Sequence, residues 1–296
     1  YKRQALGNVV GSNLFNVLFV LGLSALIAPL VVSAQLVRFD VPIMVGVSFL
    51  ALFLGWDGRI DRLEGCVLFA GIVVYSLVLI SKGREEPLHD GAARSPSLTQ
   101  SWWVHPILVL GGLGLLVLGS NWLVDGAAAL ARHLGVSDLI VGLTLVAAGT
   151  SLPEAATSVV AALRGQRDLA VGNVVGSNIF NILAVLGLSG IVSAEGLPVP
   201  EPALGFDLPV MIAAAVACLP IFFTGYVIAR WEGALFLGYY AAYTLYLILS
   251  STGHDLLPLL SWTMIAFVVP ITVVTLVLCT FRAVRNRNAA DRFKAP

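Results

Sequence analysis

Charge is scarce in this sequence, and histidine and cysteine are nearly absent. Only 11% of the 296 residues are charged, and the formal net charge is zero. A soluble domain has about 25% charged residues and about 45–50% apolar ones, whereas this chain is 58% hydrophobic. A formal net charge of zero also argues against a nucleic-acid partner, because such partners are usually bound by strongly basic domains. The composition therefore excludes a nucleic-acid partner and indicates a protein that lies in the lipid bilayer.

The few cysteines and histidines form no metal or redox motif. Cys66, Cys218 and Cys279 each lie in an apolar stretch, without CxxC spacing. The four histidines lie in loops or at the ends of such stretches, so they do not support a histidine metal site. We therefore interpret the cysteines as packing residues and expect no cofactor.

Long apolar segments make up most of the chain. Each is long enough to cross a hydrocarbon core of about 30 Å as a helix. They are continuous runs, not ten-residue alternations, so transmembrane strands are not expected. The predicted fold class is an all-α polytopic membrane protein with nine transmembrane helices, at about 5–30, 38–56, 63–81, 103–125, 138–162, 170–193, 206–225, 231–250 and 257–281.

An internal repeat relates two parts of the chain. The string GNVVGSNLFN at 7–16 returns as GNVVGSNIFN at 172–181, and the longer comparison to Ser24 and Ser189 gives 15 identities in 18 positions at an offset of 165. FDVPIM, which begins at Phe39, likewise returns as FDLPVM. Five predicted crossings separate the two strings. Because five is odd, the copies lie in opposite directions across the bilayer, which predicts an inverted-topology repeat.

The repeat divides the sequence into four parts. We expect a partial first half with three helices, a short linker rich in proline, serine and charge, a complete second half with five helices, and an extra helix with a basic tail. The second half has two helices before its string that the first half lacks, and the chain begins with Tyr1 instead of Met. We therefore expect an N-terminally truncated chain that is inactive by itself. The four parts are 1–82, 83–101, 102–252 and 253–296.

Basic residues predict the orientation in the membrane. If the start of the chain is outside, 12 basic residues fall in inward-facing segments and 5 in outward-facing ones. Lys and Arg are enriched in cytoplasmic segments. We therefore expect an integral protein of the bacterial inner membrane, with the linker and the C-terminal tail in the cytoplasm.

The sequence GTSLPE at 149–154 places an acid near the middle of a predicted span. A carboxylate at the centre of a bilayer costs about 2.5–3.5 kcal/mol on insertion scales, so Glu154 is a functional candidate by default. Pro153 displaces the carbonyl four residues earlier and so frees the oxygen of Gly149. Thr150 and Ser151 lie three or four residues from Glu154 and share its helix face. The pattern predicts oxygen ligands that converge on one volume.

The repeated string adds oxygen atoms to this set. Ser177 and Asn181 are four residues apart and share a helix face, as do Ser12 and Asn16. An all-oxygen site with a carboxylate and no thiolate or imidazole suits hard cations such as Ca²⁺ or Na⁺. For either asparagine alone, a hydrogen bond between helices is as good an explanation as ion binding.

The two motifs together resemble the cation/calcium exchanger superfamily, in particular sodium/calcium exchangers of the bacterial type, without a regulatory loop domain. Members carry GTSLPE on one helix and GNxxGSNxFN on the next, and both occur in the second half of this chain. The resemblance implies the inverted-repeat exchanger fold and exchange of Ca²⁺ for Na⁺ by alternating access. It also implies a central ion site made by Thr150, Ser151, Glu154, Ser177, Asn181, Ser12, Asn16 and a backbone carbonyl near Ala147.

One position departs from the family pattern, and it leaves the coupling open. Many members have Asp where this chain has Asn181, so the number of Na⁺ ions and the charge moved per cycle are not defined by the motif. A Ca²⁺/H⁺ antiporter is the nearest alternative, since a midplane glutamate can carry a proton. An intramembrane enzyme is disfavoured because the sequence has no HExxH, no serine and histidine at catalytic spacing, and no pair of membrane aspartates. A channel fits inverted repeats with broken helices less well than a transporter does.

Overall fold

The computed structural model describes residues 2–83, 104–133 and 147–292. The predicted linker at 83–101 lies almost wholly outside the described residues, as does the first part of the predicted span at 138–162. Helix is the main element of the described chain. The helices are α1 (Lys2–Leu14, Phe15–Leu21 and Gly22–Ile27), α2 (Leu36–Asp40 and Val41–Leu54), α3 (Arg62–Gly83), α4 (Val104–His133), α5 (Ala147–Gly149), α6 (Leu152–Leu163), α7 (Arg167–Phe180, Asn181–Leu186 and Gly187–Val192), α8 (Ala203–Asp207 and Leu208–Phe223), α9 (Arg230–Thr252) and α10 (Leu257–Thr263, Met264–Val268 and Val269–Arg292).

Eight helices of the described chain are long and apolar enough to cross a membrane. They correspond to eight of the nine predicted spans, which confirms the all-α polytopic membrane class. The ninth, at 138–162, is represented in the described residues by the three-residue α5 and the 12-residue α6. Helices α1 and α7 are the most buried of the eight, while α10 lies at the periphery. The two copies of the repeated string are therefore at the centre of the bundle.

The two halves repeat each other even in their irregular turns. Helix α1 becomes π-helical at Phe15–Leu21, and α7 does so at Asn181–Leu186. Helix α2 begins with a π-helical segment at Leu36–Asp40, and α8 begins with one at Ala203–Asp207. A π-helical turn shifts the side chains that follow it and is frequent at functional sites. Its recurrence at equivalent positions supports one structural plan for both halves.

In the described part of the chain, four very short strands form pairs between the two halves. β1 (Leu30–Val31) pairs antiparallel with β4 (Val227–Ile228), and β2 (Arg59–Ile60) pairs antiparallel with β3 (Leu197–Pro198). Each pair takes one strand from each half of the repeat. The sequence argued against transmembrane strands only. The four short strands lie between the spanning helices, where two residues of pairing satisfy backbone groups that the helices leave free.

Glycines let helices of opposite halves cross closely. A methyl group at Gly65 in α3 would lie 2.8 Å from the carbonyl oxygen of Gly187 in α7. The equivalent crossing joins α1 and α9, where a methyl group at Gly22 would lie 2.9 Å from the carbonyl oxygen of Gly233. Small residues at such points allow backbones to approach in membranes. Each central helix is thus packed against the last helix of the other half.

The aspartate of the FD dipeptide accepts a hydrogen bond from a tyrosine in each half. The Tyr75 hydroxyl donates to Asp40 Oδ1 at 2.7 Å, and the Tyr243 hydroxyl donates to Asp207 Oδ1 at 2.9 Å. Each bond ties the start of one helix to the middle of the next helix in the same half. A carboxylate that accepts a hydroxyl hydrogen bond is less costly to bury than an unpaired one.

Replacing Gly65 by alanine is expected to destabilise the bundle, because the added methyl meets backbone atoms that have no room to move. The expected loss is about 1–3 kcal/mol, as for other overpacked sites. It is measured as a lower midpoint of thermal unfolding in detergent. Gly46→Ala on α2 is the matched control: its methyl would meet nothing within 4 Å. Equal midpoints for the two variants would contradict the close crossing of α3 and α7.

Candidate functional site

The chain turns sharply between α5 and α6. α5 ends at Gly149 and α6 begins at Leu152, with Pro153 in its first turn, where a missing N–H is tolerated. The Gly149 carbonyl is not left unpaired, because the hydroxyl of Ser120 on α4 donates to that oxygen. The proline does open the helix, but a neighbouring helix satisfies the carbonyl that it releases.

Glu154 lies in the first turn of α6 with an unsatisfied oxygen. Its side chain is half-buried, and Oε2 is buried with no hydrogen-bond partner among the described residues. A buried carboxylate oxygen without a donor is costly unless a cation or a proton meets it. This atom is therefore a candidate ion ligand, as the sequence predicted.

The helix that carries Glu154 is tied to the second copy of the string. Asn173 Nδ2 donates to the backbone oxygen of Glu154 at 3.3 Å and to Ser158 Oγ at 2.9 Å. The Ser158 hydroxyl in turn donates to the Ala170 carbonyl at 3.4 Å. These bonds fix α6 against α7, so the position of the carboxylate depends on the second residue of GNVVGSN.

The first copy of the string meets the turn before α6. Ser12 Oγ lies 3.0 Å from Thr150 Oγ1, and the Thr150 hydroxyl donates to Asn8 Oδ1 at 3.1 Å. Because the one Thr150 hydrogen goes to Asn8, Ser12 is the donor in the other bond. Two predicted ligands from different halves, Ser12 and Thr150, are thereby brought into contact.

Four asparagines join α1 to α7 at the centre of the bundle. Asn16 Nδ2 donates to Asn178 Oδ1 at 3.1 Å, and Asn181 Nδ2 donates to Asn13 Oδ1 at 3.0 Å. Asn13 Nδ2 and Asn178 Nδ2 each donate to the backbone oxygen of the other residue at 3.3 Å. Asn13 and Asn178 are related by the offset of the repeat, as are Asn16 and Asn181. We call these four residues the asparagine quartet.

The quartet leaves one buried amide oxygen without a donor. Asn16 is fully buried, and its Oδ1 has no hydrogen-bond partner in the part of the chain that the structure describes. Nearly all buried polar atoms in proteins are paired, so an unpaired one needs an explanation. Asn16 Oδ1 and Glu154 Oε2 are both acceptors, and a cation is one partner that would satisfy each of them.

The other predicted ligands are placed as follows. Ser151 is buried in the turn between α5 and α6. Ser177 is half-buried on α7, one turn before Asn181. Ala147 opens α5, which packs against α1. Within the described residues, no hydrogen bond joins the Glu154 carboxylate to another predicted ligand, although α6 packs against the Phe15–Leu21 segment that holds Asn16.

Sequence reasoning did not single out the residues that support the ligands. The sequence repeat could have indicated four of them, because they all belong to the repeated string: Asn8, Asn13, Asn173 and Asn178. Ser120 carries no comparable signal. Within the described residues, no group of three or more His, Cys, Asp or Glu side chains could hold a metal. The candidate ligands are thus one carboxylate and a set of amide and hydroxyl groups.

Comparison with known proteins identifies the type of molecule. The chain is 41% identical over 220 residues to the putative antiporter CaxA of Alkalimonas amylolytica, covering 73% of this chain and 68% of that protein. It is 35% identical over 202 residues to the inner membrane protein YrbG of Escherichia coli, covering 65% and 61%. It is 30% identical over 285 residues to the sodium/calcium exchanger MaX1 of Methanosarcina acetivorans, covering 80% and 78%. The chain therefore spans about two thirds of the length of the first two relatives.

Solved structures agree with the sequence comparison. The fold matches the sodium-calcium exchanger NCX_Mj with a TM-score of 0.66 and 30% identity, over 81% of this chain and 76% of that one. This confirms the exchanger fold, and relatives of this kind are transporters, not enzymes. The sequence profile of the family described as sodium/calcium exchanger protein matches residues 3–81 and 104–249, well over half of the chain. The chain therefore belongs to the sodium/calcium exchanger protein family.

Proposed function

We propose that this protein exchanges Ca²⁺ for Na⁺ across a membrane by alternating access. The observation that carries the proposal is the pair of buried acceptor oxygens without donors, Glu154 Oε2 and Asn16 Oδ1. They lie on two helices, α6 and α1, that pack against each other in an exchanger fold. Hard cations prefer such oxygen ligands, and a Ca²⁺ ion takes six to eight of them.

The proposed ion site uses the ligands that the sequence indicated. Glu154 supplies the charge, and hydroxyl, amide and backbone oxygens complete the coordination. The Ser12 to Thr150 contact and the asparagine quartet support convergence of both halves on one volume. The proposed ligands are Thr150, Ser151, Glu154, Ser177, Asn181, Ser12, Asn16 and the backbone oxygen of Ala147.

Exchange follows when one set of oxygens holds either ion. An empty site leaves the Glu154 carboxylate buried without a partner, which makes reorientation of the empty protein unfavourable. Binding of either cation removes that barrier. The inverted halves then provide two related conformations, each open to one side of the membrane.

Orientation and organisation are part of the proposal. The parts 1–82, 83–101, 102–252 and 253–296 are the first half, the linker, the second half and the added helix with its tail. The distribution of basic residues supports an inner-membrane protein with linker and tail in the cytoplasm. The E. coli relative is named as an inner membrane protein, which agrees with this location.

The counter-ion is tested by Ca²⁺ uptake into vesicles that contain the gene product at its natural length. We expect an outward Na⁺ gradient to drive uptake, because Na⁺ and Ca²⁺ compete for the same oxygens. A pH gradient at fixed voltage serves as the comparison. Uptake driven by the pH gradient alone would replace the proposal by Ca²⁺/H⁺ antiport, in which Glu154 Oε2 carries the proton. Vesicles without protein give the background.

Glu154→Gln is expected to reduce Na⁺-driven Ca²⁺ uptake to the level of vesicles without protein. The amide preserves the shape of the side chain but removes the one charge in the proposed site. Glu201→Gln is the matched control, because Glu201 is exposed before the start of α8 and should leave uptake unchanged. Detergent elution profiles verify that both variants are folded. Normal uptake by the Glu154 variant would remove this residue from the site.

A further inference from the structure

We propose that Asn13 and Asn178 are positioning residues that make Asn16 and Asn181 present oxygen, not nitrogen, to the ion. Each half of the repeat then orients the amide ligand of the other half. The inference rests on the proposed function in one respect: it takes Asn16 and Asn181 as ligands of the transported cation. The orientation itself follows from hydrogen bonds among the described residues.

Two backbone carbonyls fix the orientation of the Asn13 and Asn178 side chains. Asn13 Nδ2 donates to the Asn178 backbone oxygen, and Asn178 Nδ2 donates to the Asn13 backbone oxygen, both at 3.3 Å. A backbone carbonyl only accepts hydrogen bonds, so the nitrogen of each amide must face it. The side-chain oxygens of Asn13 and Asn178 consequently point the other way.

The side-chain oxygens of Asn13 and Asn178 in turn fix the orientation of Asn181 and Asn16. Asn178 Oδ1 lies 3.1 Å from Asn16 Nδ2, and Asn13 Oδ1 lies 3.0 Å from Asn181 Nδ2. An amide oxygen accepts and does not donate, so Asn16 and Asn181 must turn their nitrogens toward it. A reversed amide would place two oxygens in contact at each of these points.

The side-chain oxygens of Asn16 and Asn181 are consequently directed away from these hydrogen bonds. Nitrogen and oxygen lie on opposite sides of a planar carboxamide, so a nitrogen held at the quartet directs the oxygen away from it. Asn16 Oδ1 is buried there and has no donor among the described residues. An acceptor held in this direction is prepared for a cation, whereas an amide nitrogen in the same place would repel one.

Weak contacts complete the environment of the positioning amides. Asn13 Nδ2 lies 3.7 Å from Met211 Sδ, and Asn178 Nδ2 lies 3.7 Å from Met44 Sδ. Thioether sulfur is a weak acceptor, so it does not compete with the backbone carbonyls for the direction of the amides. An asparagine side chain can donate to the backbone and accept from the ligand's amide at once. Aspartate lacks the donor, and leucine lacks both.

The test is a double-mutant cycle on cation binding in the gene product at its natural length. Asn178→Leu should weaken Ca²⁺ binding about 10- to 100-fold, as other losses of an outer-shell partner do. In an Asn16→Ala background, Asn178→Leu should have no further effect, because no amide remains for it to orient. Combined with Asn181→Ala, it should retain its full effect. Asn13→Leu should show the opposite pattern, coupling to Asn181 and not to Asn16.

The controls separate positioning from folding and from the proposed function. Ser48→Ala removes a buried hydroxyl on α2 whose bond is to the Met44 carbonyl of its own helix, so it should leave binding unchanged. If a leucine variant does not assemble, Asn178→Ala carries the same expectation. The inference is overturned if Asn178→Leu weakens Ca²⁺ binding equally in the wild-type and Asn16→Ala backgrounds. This holds even if the Asn178→Leu variant has a lower unfolding midpoint. If the wild-type protein binds Na⁺ but does not bind Ca²⁺, the proposed Ca²⁺ exchange is rejected. The same mutant cycle measured with Na⁺ would then still show whether Asn13 and Asn178 position the ligand amides.

Discussion

The reciprocal bonds between Asn13 and Asn178 are the constraint on which the rest of the bundle depends. Amide groups in the middle of a bilayer have no water to bind, so each must find a partner in the protein. Here each asparagine takes the backbone oxygen of its own equivalent in the other half. Such an exchange is what two equivalent helices make when they are related by a local twofold axis, and it holds α1 against α7.

Other contacts follow the same axis. The paired strands, the two glycine crossings and the two tyrosine to aspartate bonds occur once on each side of it. The symmetry ends at the second residue of the string. Asn173 donates to α6, whereas its equivalent Asn8 accepts from Thr150. Equivalent residues therefore act in different ways, because the only described partner of Asn8 comes from the other half.

Periodicity was enough to predict the eight spans that the described residues contain, while Glu154 stays a predicted ligand whose Oε2 has no donor among those residues. The two motifs also placed Ser12 and Thr150 among the same candidates, and the structure brings these two hydroxyls together. The supporting contacts were not predictable in the same way. The carbonyl of Gly149 is freed by Pro153, but its acceptance of the Ser120 hydroxyl depends on where α4 passes. A local pattern tells which groups lose a partner, and only the packing tells which groups replace it.

A site with one carboxylate places unusual weight on its neutral ligands. In the proposed exchange, Glu154 offsets one positive charge, so amide and hydroxyl dipoles must stabilise what remains of a Ca²⁺ ion. A dipole helps only when its oxygen faces the ion, which makes amide orientation part of the affinity. The quartet is also closed on itself: displacing α1 against α7 breaks bonds to Asn16 and to Asn181 together. In the proposed exchange, the orientation of both amide ligands is therefore linked to the relative position of α1 and α7.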